Sequence, residues 1–391
     1  GNIVPLRLTL ALFSFLLLLV FVSLIPKSTE IKYLIVFYGL SLYSSALLLE
    51  WLFQGIEKME FVGISRILDK FFYGILIFLL VKSSRQLLLI PYLWLGGSLV
   101  AAGFLLYIFV RQFGKIRLRF NFPFWKDLVK RALPMGTAFI MIQLYHNFDT
   151  IMLGFMKGDE VVGWYNAAYK IVFLVLAFIP IFINVIFPVM SKYYKESREK
   201  LQVLISSSTK LLSTVALPLG VGGTILAKPI MDFLYGENFN NGIIGFQILI
   251  WSVVIIYIRC TYEQSFLACD EERRYLFGVL LGALANICLN IILIPPFSLK
   301  GAAIATVISE LVLSGYMLSY FRIVNRVKIV KYSLKPFIAA TFMGFILYYF
   351  RGLNLALSIS IGIGSYLFFI FLLKGITYKE IVQLKEQIIR R

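Results

Sequence analysis

The chain is poor in the residues that build metal centres and nucleophilic sites. One histidine, His146, serves all 391 residues, and the three cysteines, Cys260, Cys269 and Cys288, form no C-x-x-C pair. That spacing supports neither a zinc nor a haem site, so no cofactor is expected. Charge is scarce as well. Only 15% of residues are charged, against about 25% in soluble domains, and with 60% hydrophobic residues a large soluble core is excluded. Acidic residues are the scarcer sign, 20 against 38 Lys and Arg. A basic excess can suit nucleic acid, but here the basic residues sit mostly between apolar runs, where they read as topology signals; no nucleic-acid partner is expected. The opening run lacks a clear signal-peptide cleavage pattern, and the first residue is Gly1 rather than Met.

What the chain does have is long apolar runs. A membrane span needs roughly 20 apolar residues, and about twelve stretches qualify: 6–25, 32–53, 61–81, 88–110, 132–155, 162–188, 207–227, 241–262, 274–294, 301–321, 335–350 and 353–373. The expected fold is therefore all-α, a polytopic membrane protein. Basic residues gather after the even-numbered spans: Arg111, Lys115, Arg117, Arg119, Lys126, Lys130 and Arg131; then Lys192, Lys195, Arg198 and Lys200; then Arg322, Arg326, Lys328 and Lys331. The tail adds Lys374, Lys379, Lys385, Arg390 and Arg391. This places those loops and the C-terminus in the cytoplasm, although Lys27, Lys32, Lys82 and Arg85 run against the pattern near the N-terminus. No loop is long enough for a separate domain. FWKDLVKRALP (Phe124 to Pro134) and KESREKLQ (Lys195 to Gln202) read as amphipathic stretches along the interface.

One stretch, Arg131 to Val172, breaks the apolar monotony. Gln143, His146, Asn147 and Thr150 fall within an arc of about 100° on a helix, with Asp149 about 60° beyond it. After a short GDE turn, a second apolar run carries Asn166, Tyr169 and Lys170. Ionisable groups at membrane depth cost roughly 2.5–3.5 kcal/mol each on insertion scales and usually face a bundle interior or water. A polar-lined helical hairpin in a membrane points to a path for something polar.

A weak internal echo also runs through the chain. GIEKMEFVGI (Gly55 to Ile64) aligns with DEERRYLFGV (Asp270 to Val279), matching Glu57 to Glu272 and Gly63 to Gly278. Both copies open a span on the basic side, as expected for a two-lobed repeat. Counting from the echo, the first lobe lacks a pair of spans, so the sequence reads as N-terminally truncated. If spans five to ten form one lobe of six, the division is 1–118 for the remainder of the first lobe, 119–325 for that second lobe and 326–391 for the last two apolar runs with the tail.

WLFQGIEKM (Trp51 to Met59), FDTIMLGFM (Phe148 to Met156), VGWYNAAYKIV (Val162 to Val172), FPVMSKYY (Phe187 to Tyr194) and GAAIATVISE (Gly301 to Glu310) together resemble the polysaccharide flippases of the multidrug/oligosaccharidyl-lipid/polysaccharide exporter superfamily. The resemblance covers nearly the whole chain and names no sugar. It implies two lobes facing each other and alternating access for an undecaprenyl-diphosphate-linked oligosaccharide. The setting would be a bacterial or archaeal cytoplasmic membrane. The partners it implies are that lipid-linked oligosaccharide, the membrane lipids and a polysaccharide polymerase; no enzymatic activity is expected.

Such a cargo needs cations for its diphosphate. The substrate-binding candidates are Arg66 and Lys70, Lys170, and Arg259, with Lys210 a weaker one. Arg66 has Asp69 at i+3 and Arg259 has Glu263 at i+4, so structural ion pairs are the alternative. Asp149 either couples transport to a proton or sodium gradient or pairs with Lys170, the ion pair being preferred; His146 beside it either titrates or only hydrogen-bonds. Gly301, Ala302 and Ala305 read as close helix packing. Competing readings are a drug or cation exporter of the same superfamily, a membrane glycosyltransferase or polymerase, and a scaffold without transport. The enzyme readings need large outer loops or boundary catalytic residues, and the outer loops here are short.

Overall fold

A computed structural model describes residues 1–114, 118–325 and 329–375. Lys115, Arg117, Arg326, Lys328 and the tail from 376 lie outside the described residues, and the side chains of His146 and Arg322 lie outside them too. All regular structure among the described residues is helical. In lipid a chain must satisfy its own backbone groups, and an apolar run does this most simply as a helix.

The helices are α1 (Ile3–Leu24), α2 (Thr29–Gly39), α3 (Ser41–Leu47), α4 (Glu50–Gly55), α5 (Met59–Leu80), α6 (Ile90–Phe113), α7 (Phe122–Met156), α8 (Asp159–Leu176), α9 (Ile179–Glu196), α10 (Arg198–Ile225), α11 (Ala227–Tyr235), α12 (Ile243–Ala268), α13 (Glu272–Asn325), α14 (Ile329–Tyr349) and α15 (Leu355–Leu372). Nine stretches among the described residues are long and apolar enough to cross a membrane. One of them, Glu272–Tyr320, doubles back. Ser298 has φ 53° and ψ −131°, and residues at roughly matching distances on either side of it touch: Gly278 faces Tyr316, Gly282 faces Leu313, and Asn286 Nδ2 donates to Ser309 Oγ at 3.4 Å. Two crossings therefore lie inside α13. Adding α5, which carries charged residues within its apolar run, and α7 brings the total to about twelve, the number expected from spans of roughly 20 residues.

Gly301 is indispensable to this reversal. The backbone of Leu293 occupies the place where a Cβ on residue 301 would stand. Ala302 and Ala305 beside it are fully buried. The expected close packing is present.

Two interfacial stretches turn out differently from the expectation. Phe124 to Pro134 is the opening of α7, a 35-residue helix that at 1.5 Å per residue is about 52 Å long, well beyond a hydrocarbon core of about 30 Å. Arg198 to Gln202 belongs to the first turns of α10, capped by the Ser197 side chain, which accepts from Lys200 N. Helix continuity satisfies backbone groups that a separate surface stretch would leave to water.

The chain divides into two compact units, Gly1–Ala138 and Phe139–Arg391. Unit 1 is centred on Leu49, Phe53, Val62 and Leu105. Unit 2 packs α8, α10 and α12 around Tyr165, Leu217, Phe246 and Val253. In unit 2, α14 lies along α10 with Ser213 and Ser333 hydrogen-bonded at 2.9 Å, and Tyr366 of α15 donates to Thr214 O at 2.7 Å. Helix ends in this unit meet as an up-and-down arrangement requires. Lys157 Nζ reaches Pro295 O at 2.7 Å, and Trp164 Nε1 reaches Asn238 O at 3.1 Å. At the opposite ends Lys335 Nζ reaches Lys374 O at 3.2 Å.

The internal echo exists in the backbone, but in a different register from the sequence alignment. Glu57 (φ 60°) and Asp270 (φ 59°) both adopt the left-handed conformation after a helix end. Lys58 N donates to Phe53 O at 2.9 Å, and Glu271 N to Phe266 O at 2.9 Å. Ile56 N to Leu52 O and Cys269 N to Ser265 O repeat the match at 3.1 and 3.0 Å. Phe53 and Phe266 are both fully buried. Glu57 therefore corresponds to Asp270 rather than to Glu272, and the same register sets Glu50 against Glu263.

Candidate functional site

In unit 2, Asp149 is 5% exposed. Its carboxylate accepts from Tyr165 Oη at 2.8 Å, Thr306 Oγ1 at 2.8 Å and Asn290 Nδ2 at 2.6 Å. These donors come from α8 and the two limbs of α13, so one side chain of α7 is gripped by three crossings. Asn290 also donates to Asn286 Oδ1 at 2.9 Å. Asn290 Oδ1 itself is buried without a hydrogen-bond partner among the described residues, a costly state unless something else supplies one. The preferred Asp149–Lys170 pair does not form. Every described partner of Asp149 is a neutral donor, and Lys170 is exposed on α8 and takes part in none of the described ion pairs. Facing donors from three crossings satisfy the carboxylate more closely than a long ammonium side chain that points outward.

The polar stripe on α7 splits in two. Gln143 and Asn147 are exposed, and Asn147 Nδ2 bonds back to Gln143 O at 2.8 Å. Thr150 Oγ1 donates to Asn166 Oδ1 at 3.3 Å. Asp149, offset from that arc, turns into the bundle.

Arg259 is 7% exposed. Its Nη1 reaches Glu263 Oε2 at 2.6 Å and its Nη2 reaches Glu310 Oε2 at 3.0 Å. Tyr275 Oη adds a bond to Glu263 Oε1 at 3.0 Å. This guanidinium is engaged by two carboxylates inside the bundle, which is the structural ion pair weighed as the alternative, with Glu310 as a further partner. Lys210 lines a polar cleft with Ser206, Ser207 and Tyr332. Cys269, past the end of α12, has its thiol pushed up to about 11 by burial, with Asp270 and Glu271 adding to the effect, so it is a poor nucleophile.

In unit 1 the cations are accessible. The Arg66 side chain is 62% exposed and bonds Glu50 of α4 through Nη2 at 2.8 Å and Nε at 3.2 Å, not Asp69. Asp69 instead takes Lys70 Nζ at 2.8 Å, and the same ammonium lies 4.2 Å from the centre of the Trp94 ring. Tyr73 and Tyr38 meet Trp94 edge-on at 5.2 and 6.5 Å. The side chain of Lys70 is 60% exposed, midway along α5.

Sequence reasoning missed Glu50, Tyr165, Asn286, Asn290 and Thr306. One signal was available. Asn286 and Asn290 stand one turn apart in an otherwise apolar run, LGALANICLNIILI, and such a pair shares a helix face.

A family model described as "Polysaccharide biosynthesis protein" matches residues 3–194. The chain is 28% identical over 283 residues to the "Putative O-antigen transporter" of Escherichia coli K12, covering 70% of this chain and 66% of that protein. It is 30% identical over 171 residues to the "Probable flippase AglR" of Haloferax volcanii, covering 42% of this chain and 35% of that one. Among solved structures it resembles the lipid II flippase MurJ in an inward closed conformation, with a TM-score of 0.79, 19% identity, and coverage of 96% of this chain and 82% of that one. An inward-facing multidrug resistance MATE family transporter matches at a TM-score of 0.67 and 17% identity, over 82% of this chain and 79% of that one.

Proposed function

Because the chain belongs to the polysaccharide branch of the multidrug/oligosaccharidyl-lipid/polysaccharide exporter superfamily, we propose that it is a flippase for a polyprenyl-diphosphate-linked oligosaccharide. The observation that carries this reading is an accessible cation in the middle of a membrane helix. A lysine at that depth is too costly to leave against lipid, and Lys70, still 60% exposed beside its Asp69 partner, suits a surface that faces water or an anionic cargo. Arg66 one turn away joins it, and Lys170 on α8 of unit 2 is a third candidate of the same sign. Cations suit a diphosphate and repel the cationic compounds a drug exporter would carry.

Asp149 is assigned to coupling. Its carboxylate and Asn290 Oδ1, which has no hydrogen-bond partner among the described residues, are hard oxygen donors of the kind a desolvated cation takes, and a proton on Asp149 would serve the same purpose. Arg259, held between Glu263 and Glu310, is assigned to holding α12 against α13 rather than to the cargo.

The test uses the full-length gene in a strain lacking its own flippase, scoring surface polysaccharide at matched protein levels. Wild type is expected to restore it, and Lys70→Ala, Lys170→Ala and Asp149→Asn are each expected to reduce it at least tenfold. Failure of wild type across several glycan backgrounds overturns the flippase reading. Full activity in Asp149→Asn overturns the coupling assignment alone.

A further inference from the structure

We infer that Glu50 and Trp94 are positioning residues that hold Arg66 and Lys70 in place for the anionic head of the cargo. This rests on the flippase reading and adds to it the residues that act through the cations. Arg66 and Lys70 stand one turn apart on α5, about 5–6 Å between Cβ atoms, a spacing suited to two linked phosphates. Long basic side chains lose much rotamer freedom when they bind, so a site that holds them beforehand binds more tightly.

Each cation has its own restraint. Glu50, on α4, takes Nε and Nη2 of Arg66 and leaves Nη1 outside the described bonds. The Trp94 ring lies 4.2 Å from the Lys70 ammonium and is itself fixed by Tyr38 and Tyr73. Gly97, one turn beyond Trp94 on α6, leaves the room that the Asp69 backbone needs, since an added Cβ would stand 2.7 Å from Asp69 O. Asp69 is thereby kept beside Lys70. Both restraints leave the cations more than half exposed.

Unit 2 supplies the contrast. In the backbone register shared by the two units, Glu50 corresponds to Glu263. Glu263 and Glu310 together engage Arg259, whose side chain is 8% exposed. The same carboxylate position thus serves a buried lock in one unit and an open cation in the other.

The experiment compares Glu50→Gln, Trp94→Leu, Trp94→Phe and the swap Glu50→Arg with Arg66→Glu in the flippase-deficient strain, at matched abundance. Glu50→Gln and Trp94→Leu are expected to lose at least tenfold. Trp94→Phe, which keeps a ring face for the ammonium, is expected to retain most activity. The swap re-forms the ion pair with the cation on α4, and is expected to stay inactive although well expressed. Purified full chain is then titrated with undecaprenyl diphosphate, with Glu50→Gln expected to bind at least fivefold more weakly than wild type. Wild-type transport by Trp94→Leu, by Glu50→Gln or by the swap overturns the inference. If Glu50→Gln is poorly expressed, the swap decides: activity overturns, inactivity at normal abundance supports. A wild type that restores nothing refutes the flippase reading instead.

Discussion

Arg259 shows how a residue's meaning depends on what faces it. As a basic residue in an apolar span it has the chemistry of a phosphate ligand, and its Glu263 at i+4 was the only visible warning. Glu310 lies 51 positions away in the chain, and only the packing of α12 on α13 brings it in. Removing one member of a buried ionic cluster leaves charge uncompensated, typically at a cost of about 3–5 kcal/mol. Arg259→Ala is therefore expected to lower abundance and detergent-solubilised thermal stability sharply. Replacing all three, with Arg259→Met, Glu263→Gln and Glu310→Gln, is expected to recover most of that stability. Equal stability of the single and triple variants would contradict the structural assignment. Asp149 teaches the converse. Its importance was legible as a carboxylate in a span, but its partners were not, because Tyr165, Asn290 and Thr306 come from three other crossings and helix rotation decides which side chains converge.

Among the elements, the apolar runs announced nearly every span, since roughly 20 apolar residues have few other uses in a chain this poor in charge. Ends were harder. The first turns of α7 and α10 are amphipathic, and periodicity alone does not say whether such a stretch continues into its span or lies apart from it. The register of the internal repeat was also hidden, because the two copies share backbone conformation and a buried phenylalanine more than they share residues. The turn inside α13 makes a sharp prediction. Ser298 sits at positive φ, where glycine is at ease and other residues are strained by about 1 kcal/mol or more. Ser298→Gly is expected to raise the thermal unfolding midpoint, whereas Gly301→Val, which meets the Leu293 backbone, is expected to abolish folded protein. A neutral Gly301→Val would show that the two limbs separate more readily than their packing indicates.

For the whole molecule, the excess of basic residues after even-numbered spans predicts an orientation that can be measured directly. In a cysteine-free background, Glu196→Cys lies at the last residue of α9, before α10, and Gly352→Cys between α14 and α15, both exposed. An impermeant maleimide added to intact cells is expected to label Gly352→Cys at once and Glu196→Cys only after permeabilisation. The reverse pattern would put the tail outside and break the charge argument. Composition indicated the class of molecule and the expected polarity of its loops; the exposed Arg66 and Lys70 of unit 1 and the buried Asp149 of unit 2 could be told apart only in the fold.

The doubled-back α13 also bears on biosynthesis. From Glu272 to Tyr320 the chain runs 49 residues with Lys300 as the one charged residue near its bend, so the nascent polypeptide offers no hydrophilic connector at which the first limb could be released alone. The two limbs are expected to leave the insertion machinery as a pair, facing each other through Asn286 and Ser309. Their joint entry buries the polar atoms of both limbs before lipid reaches them, and brings Asn290 and Thr306 together to receive a carboxylate synthesised well over a hundred residues earlier.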